Sequence, residues 1–430
     1  MGGGSTPLPR LLVVKGTFEQ FGGAERDLLN NLPAWSNHFD VILASLNLPD
    51  TARTALDEVG IPYLTPALEW EVPRGGWAEF RAKASRQAGR RWLSMLEFSE
   101  QGGGLREVLA NVDAIHVTSG VGSLEFTGLA PTHLPLHYHC LEPHRGLYED
   151  VLHRTLNGTP KRNLTLTHLL LGKQRNRDRR AVQRLDKRKK CTISGNSRWI
   201  QERISLVYGI ESGILLPTVD LSVWESNSET AQEKGDKSAV DDTDGNGETD
   251  SDYVVTIGGA SYVKGTWDTL EMVAGSGLSL ALVGGGSPAD LGKLRTQAKK
   301  LAVELNVQPR LSQQELVDLV IGARAVVSLA REEPFGLTPI EAQAAGTPAL
   351  MVDEGGFRYT VEDGVSGRLL PRGDWSAWHN ALEESANTET RAEWANAGRE
   401  NIERMGLAPE HQAAALAEIL FPMAQSTEEE

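Results

Sequence analysis

The 430-residue sequence contains no uninterrupted apolar run of about 18 residues, the length that spans a bilayer as a helix. That excludes a chain embedded in a membrane through helices of that kind. Only two cysteines are present, Cys140 and Cys191, too few for a disulfide framework, and a reducing cytoplasm is the expected compartment. The opening stretch MGGGSTPLPRLLVV has neither a charged n-region nor a cleavage site, so no secretory signal is expected. Lysine is scarce: thirteen stand against thirty arginines, with none beyond Lys300. What is present is ordinary for a soluble globular protein, 40% hydrophobic and 23% charged residues. The length exceeds what one core organises, so two domains are expected.

The formal charge of −15 is unevenly spread. Residues 225–252 carry ten acidic side chains and two lysines with almost nothing apolar, a composition expected to stay disordered. The chain ends in Glu428, Glu429 and Glu430. Against this, residues 173–190 (KQRNRDRRAVQRLDKRKK) hold ten basic residues and two aspartates. The block reads as a solvated helix face, or as a patch that docks on anionic lipid headgroups or a phosphate-bearing acceptor. It has no interleaved aromatics and no nucleic-acid module, so no nucleic-acid partner is expected.

Short apolar runs alternate with helical patterns along the chain. Arg10 to Val14, His38 to Leu46, Val112 to Thr118, Pro135 to His139 and Lys190 to Ile193 read as strands of a first parallel sheet. After the acidic stretch the pattern restarts at Tyr253 to Ile257, Leu278 to Val283, Ala325 to Leu329 and Ala349 to Val352. The fold class expected is α/β, with two Rossmann-like doubly wound domains in series facing a cleft. The boundaries drawn are 8–216 for the first domain, 217–252 for a linker with the acidic insert and 253–405 for the second domain. A C-terminal helix over 406–423 and an acidic tail over 424–430 follow.

The most informative stretch is Arg331 to Pro348, REEPFGLTPIEAQAAGTP, which follows a strand and opens a helix. Pro339 suits the first helical turn, and Gly346 with Pro348 marks the helix end. The amides of Gly336, Leu337 and Thr338 then lie at a helix start, where the macrodipole favours a phosphate. Glu333 in the loop and Glu341 on the first turns are placed to bind hydroxyls, or else to cap and solvate the helix. A sugar nucleotide offers hydroxyls and a diphosphate together. A second piece, Ile257 to Gly265 (IGGASYVKG), places Gly258 and Gly259 for close backbone approach and Lys264 as a cation for a diphosphate. A third, Gly22 and Gly23, opens a helix after the first strand, as a phosphate-binding turn or a tight connection.

Taken together these segments resemble a GT-B fold retaining glycosyltransferase of family 4, the group 1 glycosyltransferases. EPFGLTPIEAQAAGTP is similar to that family's E-x7-E signature, with Glu333 and Glu341 as its pair. VKG at 263–265, LVGGG at 282–286, EGGFRYTVEDGVSGRLLP at 354–371, FGGAER at 21–26, ISGNSRWIQERISLVYG at 193–209 and LLPTVDL at 215–221 fit too. The resemblance implies a hexosyltransferase that moves a sugar from a nucleotide-sugar donor to a saccharide or lipid-linked acceptor, without metal or other cofactor. The second domain would hold the donor and the first the acceptor, with the C-terminal helix packing back on the first. By the same resemblance Glu333 would bind the transferred sugar, Glu341 the ribose and Lys264 the diphosphate, with Phe335, Gly336 and Leu337 as its backbone cradle. The expected location is cytoplasmic, peripheral at the inner face of the membrane.

Departures accompany the likeness. Where the family carries an arginine five residues before the lysine, this chain has Gly259; Arg331, Arg358 and Arg198 are the substitutes considered. The donor-contacting histidine of many members has no clear counterpart. His116 is expected in a strand interior, which leaves His139 as the catalytic histidine. Asp242, Asp244 and the pair Asp250 and Asp252 mimic metal motifs, but no strand positions them and the calcium-loop glutamate is replaced by Tyr253. The alternatives are a non-catalytic sugar-nucleotide or glycan-binding protein of this fold, favoured by Gly259, and another GT-B activity such as an epimerase.

Overall fold

The computed structural model describes residues 7–19, 22–73, 86–221, 223–224 and 251–422. The acidic stretch over 225–250, with Asp242, Asp244 and Asp250 of the metal-like motifs, and the tail over 424–430 lie outside the described residues. The rest divides into two compact units. One comprises the chain up to residue 143, residues 174–218 and the chain from 408 onward; the other comprises 144–173 and 219–407.

The first unit is built on a seven-stranded sheet of β1 (Arg10–Lys15), β2 (Asp40–Ala44), β3 (Tyr63–Leu64), β4 (Ala114–Thr118), β5 (Leu136–Cys140), β6 (Cys191–Gly195) and β7 (Gly213–Ile214). The order is β3-β2-β1-β4-β5-β6-β7, and every pairing is parallel. Leu11, Leu12, Val13 and Val14 are wholly buried because a parallel sheet covered on both faces excludes water from both sets of side chains. The second unit has six strands: β8 (Tyr253–Ile257), β9 (Ser279–Val283), β10 (Leu305–Gln308), β11 (Ala325–Ser328), β12 (Ala349–Val352) and β13 (Arg368–Leu370). Their order is β10-β9-β8-β11-β12-β13, again all parallel. Both sheets are doubly wound, as the alternating pattern implies. In each, the strand order reverses at one point, between β1 and β4 and between β8 and β11, the place where loops diverge and open α/β sheets take ligands.

Two boundaries differ from the sequence reading. Residues 144–173, expected inside the first domain over 8–216, pack with the second unit. The reason is specific: an Arg145 Nη2 donates to the Arg331 carbonyl at 2.7 Å, and the Arg154 guanidinium lies over the Tyr262 ring, which also fills the space beside Gly158. The division falls inside the helix Leu164–Asp186, whose continuous periodicity gives no sign of it. The helix Pro409–Leu420 packs on the helix Gly23–Trp35 of the first unit, where Trp35 Nε1 donates to Gln412 and Gln412 donates to the Leu216 carbonyl. Four short edge or near-edge strands, β3, β7, β10 and β13, carry too few apolar residues to stand out in the sequence.

Candidate functional site

Loops leaving β8 and β11 meet where the second sheet reverses. After β8, Gly258 N–H donates to the Val283 carbonyl and Ala260 N–H to the Gly285 carbonyl, so the turn is laid against the end of β9. Ser261 and Thr266 close it: Ser261 N–H donates to Thr266 Oγ1 at 3.1 Å, and Ser261 Oγ accepts the Lys264 N–H at 3.2 Å. After β11, Arg331 N–H donates to the Val263 carbonyl at 2.8 Å and stitches the two loops together. The consequence is the central contact of the site: Lys264 Nζ lies 2.9 Å from Glu333 Oε2. The side chains are 38% and 20% exposed, so both remain open to a ligand.

The backbone behind Glu333 is held tightly. Its carbonyl accepts the Gly356 N–H at 2.7 Å, and Phe335 is buried. Gly336 caps the helix Leu337–Ala344 at φ 100°, a left-handed conformation, and a Cβ there would stand 2.8 Å from Phe357 Cδ1. Only glycine fits both demands. The first amides of this helix, Leu337 and Thr338, have no acceptor within it, and Pro339 on the same turn brings no N–H. A partial positive charge therefore sits beside Lys264 and Glu333. Glu341 lies on the same helix, half-buried.

The arginines offered as substitutes for the family's missing cation are otherwise engaged. Arg331 donates to the Tyr262 carbonyl and to Asp268 Oδ2, and its guanidinium stacks 3.7 Å from the Tyr262 ring centroid. Arg358 is tied to Asp353 through both its side chain and its carbonyl. Arg198 belongs to the first unit, exposed and 3.6 Å from Glu202. A Cβ at Gly259 would stand 3.1 Å from the Gly285 carbonyl oxygen, so a larger residue there would require that carbonyl to shift. Sequence reasoning missed the surrounding network, in which Asp268 also accepts from Arg372, itself paired with Glu354. No local motif announces a carboxylate shared between arginines 41 positions apart.

The remaining expected residues lie in the first unit. Gly22 and Gly23 open the helix Gly23–Trp35, but the Glu25 side chain takes the Gly22 N–H at 2.9 Å and also pairs with Lys15 at 3.1 Å. The helix start thus carries its own carboxylate in the position an anion would occupy. His139, expected as the catalytic histidine, is buried in the sheet: its Nε2 lies 3.0 Å from the Leu215 carbonyl and its ring stacks on His137. Registry places His116, His137 and His139 on one sheet face, with His137 and His116 joined Nδ1 to Nδ1 at 3.0 Å. Burial lowers the pKa of all three, that of His139 to about 4. His139 has a structural tie here, to the Leu215 carbonyl within its own unit. Among the described residues, no group of three or more His, Cys, Asp or Glu side chains is arranged to hold a metal ion.

Parts of the chain are similar to known proteins. Residues 241–401 match the model of the glycosyl transferases group 1. That stretch contains the whole Lys264–Glu333 site. Two D-inositol 3-phosphate glycosyltransferases match parts of the chain. One, from Saccharomonospora viridis, is 36% identical over 134 residues, 30% of this chain and 31% of its own length. The other, from Frankia alni, is 39% identical over 114 residues, 25% of this chain and 28% of its own. The chain thus matches less than a third of the length of these curated relatives. Over the whole chain, the structure resembles Anabaena HepE solved with UDP and glucose, with a TM-score of 0.65, 18% identity and coverage of 96% of this chain and 99% of that one. It also resembles sucrose-phosphate synthase from Thermosynechococcus elongatus, with a TM-score of 0.67, 15% identity and coverage of 96% and 98%. These likenesses carry the fold, two parallel-sheet α/β units of GT-B type. Among the described residues, no helix is long and apolar enough to cross a membrane.

Proposed function

We propose that the chain is a glycosyltransferase, a retaining hexosyltransferase that needs no metal or other cofactor. It takes a nucleotide sugar as donor and a saccharide, free or lipid-linked, as acceptor. The observation that carries this reading is the Lys264–Glu333 pair beside the start of the helix Leu337–Ala344, at the reversal point of the sheet in the group 1 glycosyl transferase stretch. Lys264 and the helix amides would neutralise the diphosphate as it leaves, and Glu333 would hold sugar hydroxyls, with Glu341 on the ribose. Stabilising charge that develops on a leaving group is commonly the largest contribution to catalysis. In the step proposed, the acceptor oxygen bonds to the anomeric carbon on the face from which the diphosphate oxygen departs. The acceptor proton passes to that departing phosphate oxygen. The likeness to HepE, whose structure holds UDP and glucose, makes UDP-sugars the first donors to try.

The second reading is a protein of this fold that binds a sugar nucleotide without turnover, and Gly259 in place of a phosphate-binding arginine favours it. A panel of nucleotide sugars, with and without simple saccharides and inositol 3-phosphate as acceptors, separates the two. Transfer or hydrolysis that survives a chelator and collapses in Glu333→Gln is expected. Chelator-sensitive turnover would remove the metal-free mechanism, and binding without turnover for every acceptor would favour the second reading.

A further inference from the structure

The basic block lies on the helix Leu164–Asp186 and the turn after it, and the structure separates its members into two kinds. Some are structural. Arg179 Nε donates to the Val207 carbonyl and Gln183 to the Tyr208 carbonyl, both at 2.8 Å. Arg188 donates to the carbonyls of Ala130, Pro131 and Leu134, and its burial lowers its pKa. Val182 and Leu185 are buried on the same side of the helix. Lys173, Arg177, Arg180, Arg184 and Lys187 are different: all are exposed, and they recur at spacings of four, three, four and three. At 3.6 residues per turn this places them within one arc of about 100°. Among the described residues, none of the five is held in an ion pair.

The arc continues toward the helix start as leucine. Leu166, Leu169 and Leu170 fall on the same face and are 55%, 77% and 62% exposed. Asn163 caps this end, its Oδ1 accepting the Leu166 N–H at 2.9 Å, so the leucines stand on an ordered first turn and the one after it. A row of five cations ending in three exposed leucines, on a chain of net charge −15, has a definite complement. It matches a surface that presents anionic headgroups above an apolar layer. A polynucleotide would match the cations and leave the leucines in water.

We propose that this arc docks the protein on an anionic lipid surface, with the cations over the headgroups and the leucines entering the acyl boundary. The inference does not rest on the transferase reading. The test is sedimentation of the full chain with vesicles of phosphatidylcholine alone or mixed with phosphatidylglycerol, at low and high salt, with no sugar donor present. The wild type is expected to pellet with the anionic vesicles only, and added salt is expected to release it. Each basic residue contributes about a fivefold gain near such a surface, so R177Q/R180Q/R184Q is expected to bind roughly 100-fold more weakly. L169S/L170S is expected to lose binding to the same vesicles while keeping its charge. These side chains are exposed, so circular dichroism should show both variants folded. Pelleting of either variant equal to wild type overturns the proposal. So does binding of wild type to a single-stranded polynucleotide without binding to vesicles. Because no donor is used, failure here leaves the transferase reading standing, and a protein inactive in the donor panel can still pellet.

Discussion

Lys264 Nζ and Glu333 Oε2 lie 2.9 Å apart and join two loops that leave neighbouring strands, β8 and β11, where the sheet reverses. A pair this exposed contributes little to folding, about 0.2–1 kcal/mol in typical measurements. Its value lies in holding a cation and a hydroxyl acceptor at one point beside a helix N-terminus.

That difference in magnitude gives the first expectation. Lys264→Ala and Glu333→Gln should each change stability by less than about 1 kcal/mol. Each should reduce turnover by roughly tenfold to 100-fold, the loss of one charge-assisted hydrogen bond of about 1.5–3 kcal/mol. Urea denaturation alongside initial-rate kinetics measures both. A large loss of stability with unchanged specific activity would make the pair structural.

Gly336 and Gly23 stand at the starts of two helices and should respond oppositely to alanine. Gly336→Ala meets a left-handed backbone and Phe357 Cδ1 at 2.8 Å, so a penalty of about 2 kcal/mol or more is expected. In a unit of this size that lowers Tm by about 4–8 °C. A Cβ at Gly23 meets nothing within 4 Å, so Gly23→Ala should be neutral within about 0.5 kcal/mol. Lost turnover in a fully stable Gly23→Ala would assign the acceptor role to that loop, whereas full activity would deny it.

Asp268 accepts from Arg331 and Arg372 together, and all three side chains are largely buried. Asp268→Asn is expected to cost about 1–3 kcal/mol and to lower kcat/KM, because Arg331 stands two residues before Glu333. Arg331→Lys keeps the charge but not the fork that reaches Asp268 and the Tyr262 carbonyl, so it should behave like Asp268→Asn. Wild-type melting of both variants would remove this network from the account.

The buried histidines make stability depend on acid. His116, His137 and His139 have folded pKa values below their ordinary value near 6.5, so the unfolded chain binds more protons as pH falls below it. Stability is therefore lost from about pH 6.5 down toward 4. Asp27 works the other way. Burial raises its pKa to about 6 despite hydrogen bonds from Thr218, so it favours folding most below its unfolded value of 3.8 and loses that contribution as pH rises through 6. Near pH 5 the three histidines outweigh Asp27, so the net slope lowers stability as the pH falls. His139→Gln, which keeps a donor for the Leu215 carbonyl, should remove about one proton from that slope. Urea midpoints between pH 7 and 5 check this, and a flat profile would show that the histidines titrate normally in the folded chain.

The long buried strands and the helix after Glu333 were legible because each depends on local pattern. RLLVV, YVVTI and ALMV are apolar on both faces, and Gly336, Pro339 and Gly346 punctuate one helix. What escaped the sequence depends on distant partners. The Arg331–Asp268–Arg372 network, the attachment of residues 144–173 to the second unit and the tie between His139 and Leu215 all join residues far apart in the chain. The basic block was visible as composition. Its separation into carbonyl-bound arginines and an exposed arc required the helix to be placed against its neighbours.

Calorimetric titration with UDP tests the proposed donor site most directly. Lys264→Ala is expected to bind UDP at least about tenfold more weakly than wild type, as loss of a charge-assisted phosphate contact requires. Glu333→Gln, which removes the carboxylate competing for Lys264, is expected to bind it no more weakly than wild type. Wild-type UDP affinity in Lys264→Ala would contradict a donor diphosphate held at this pair.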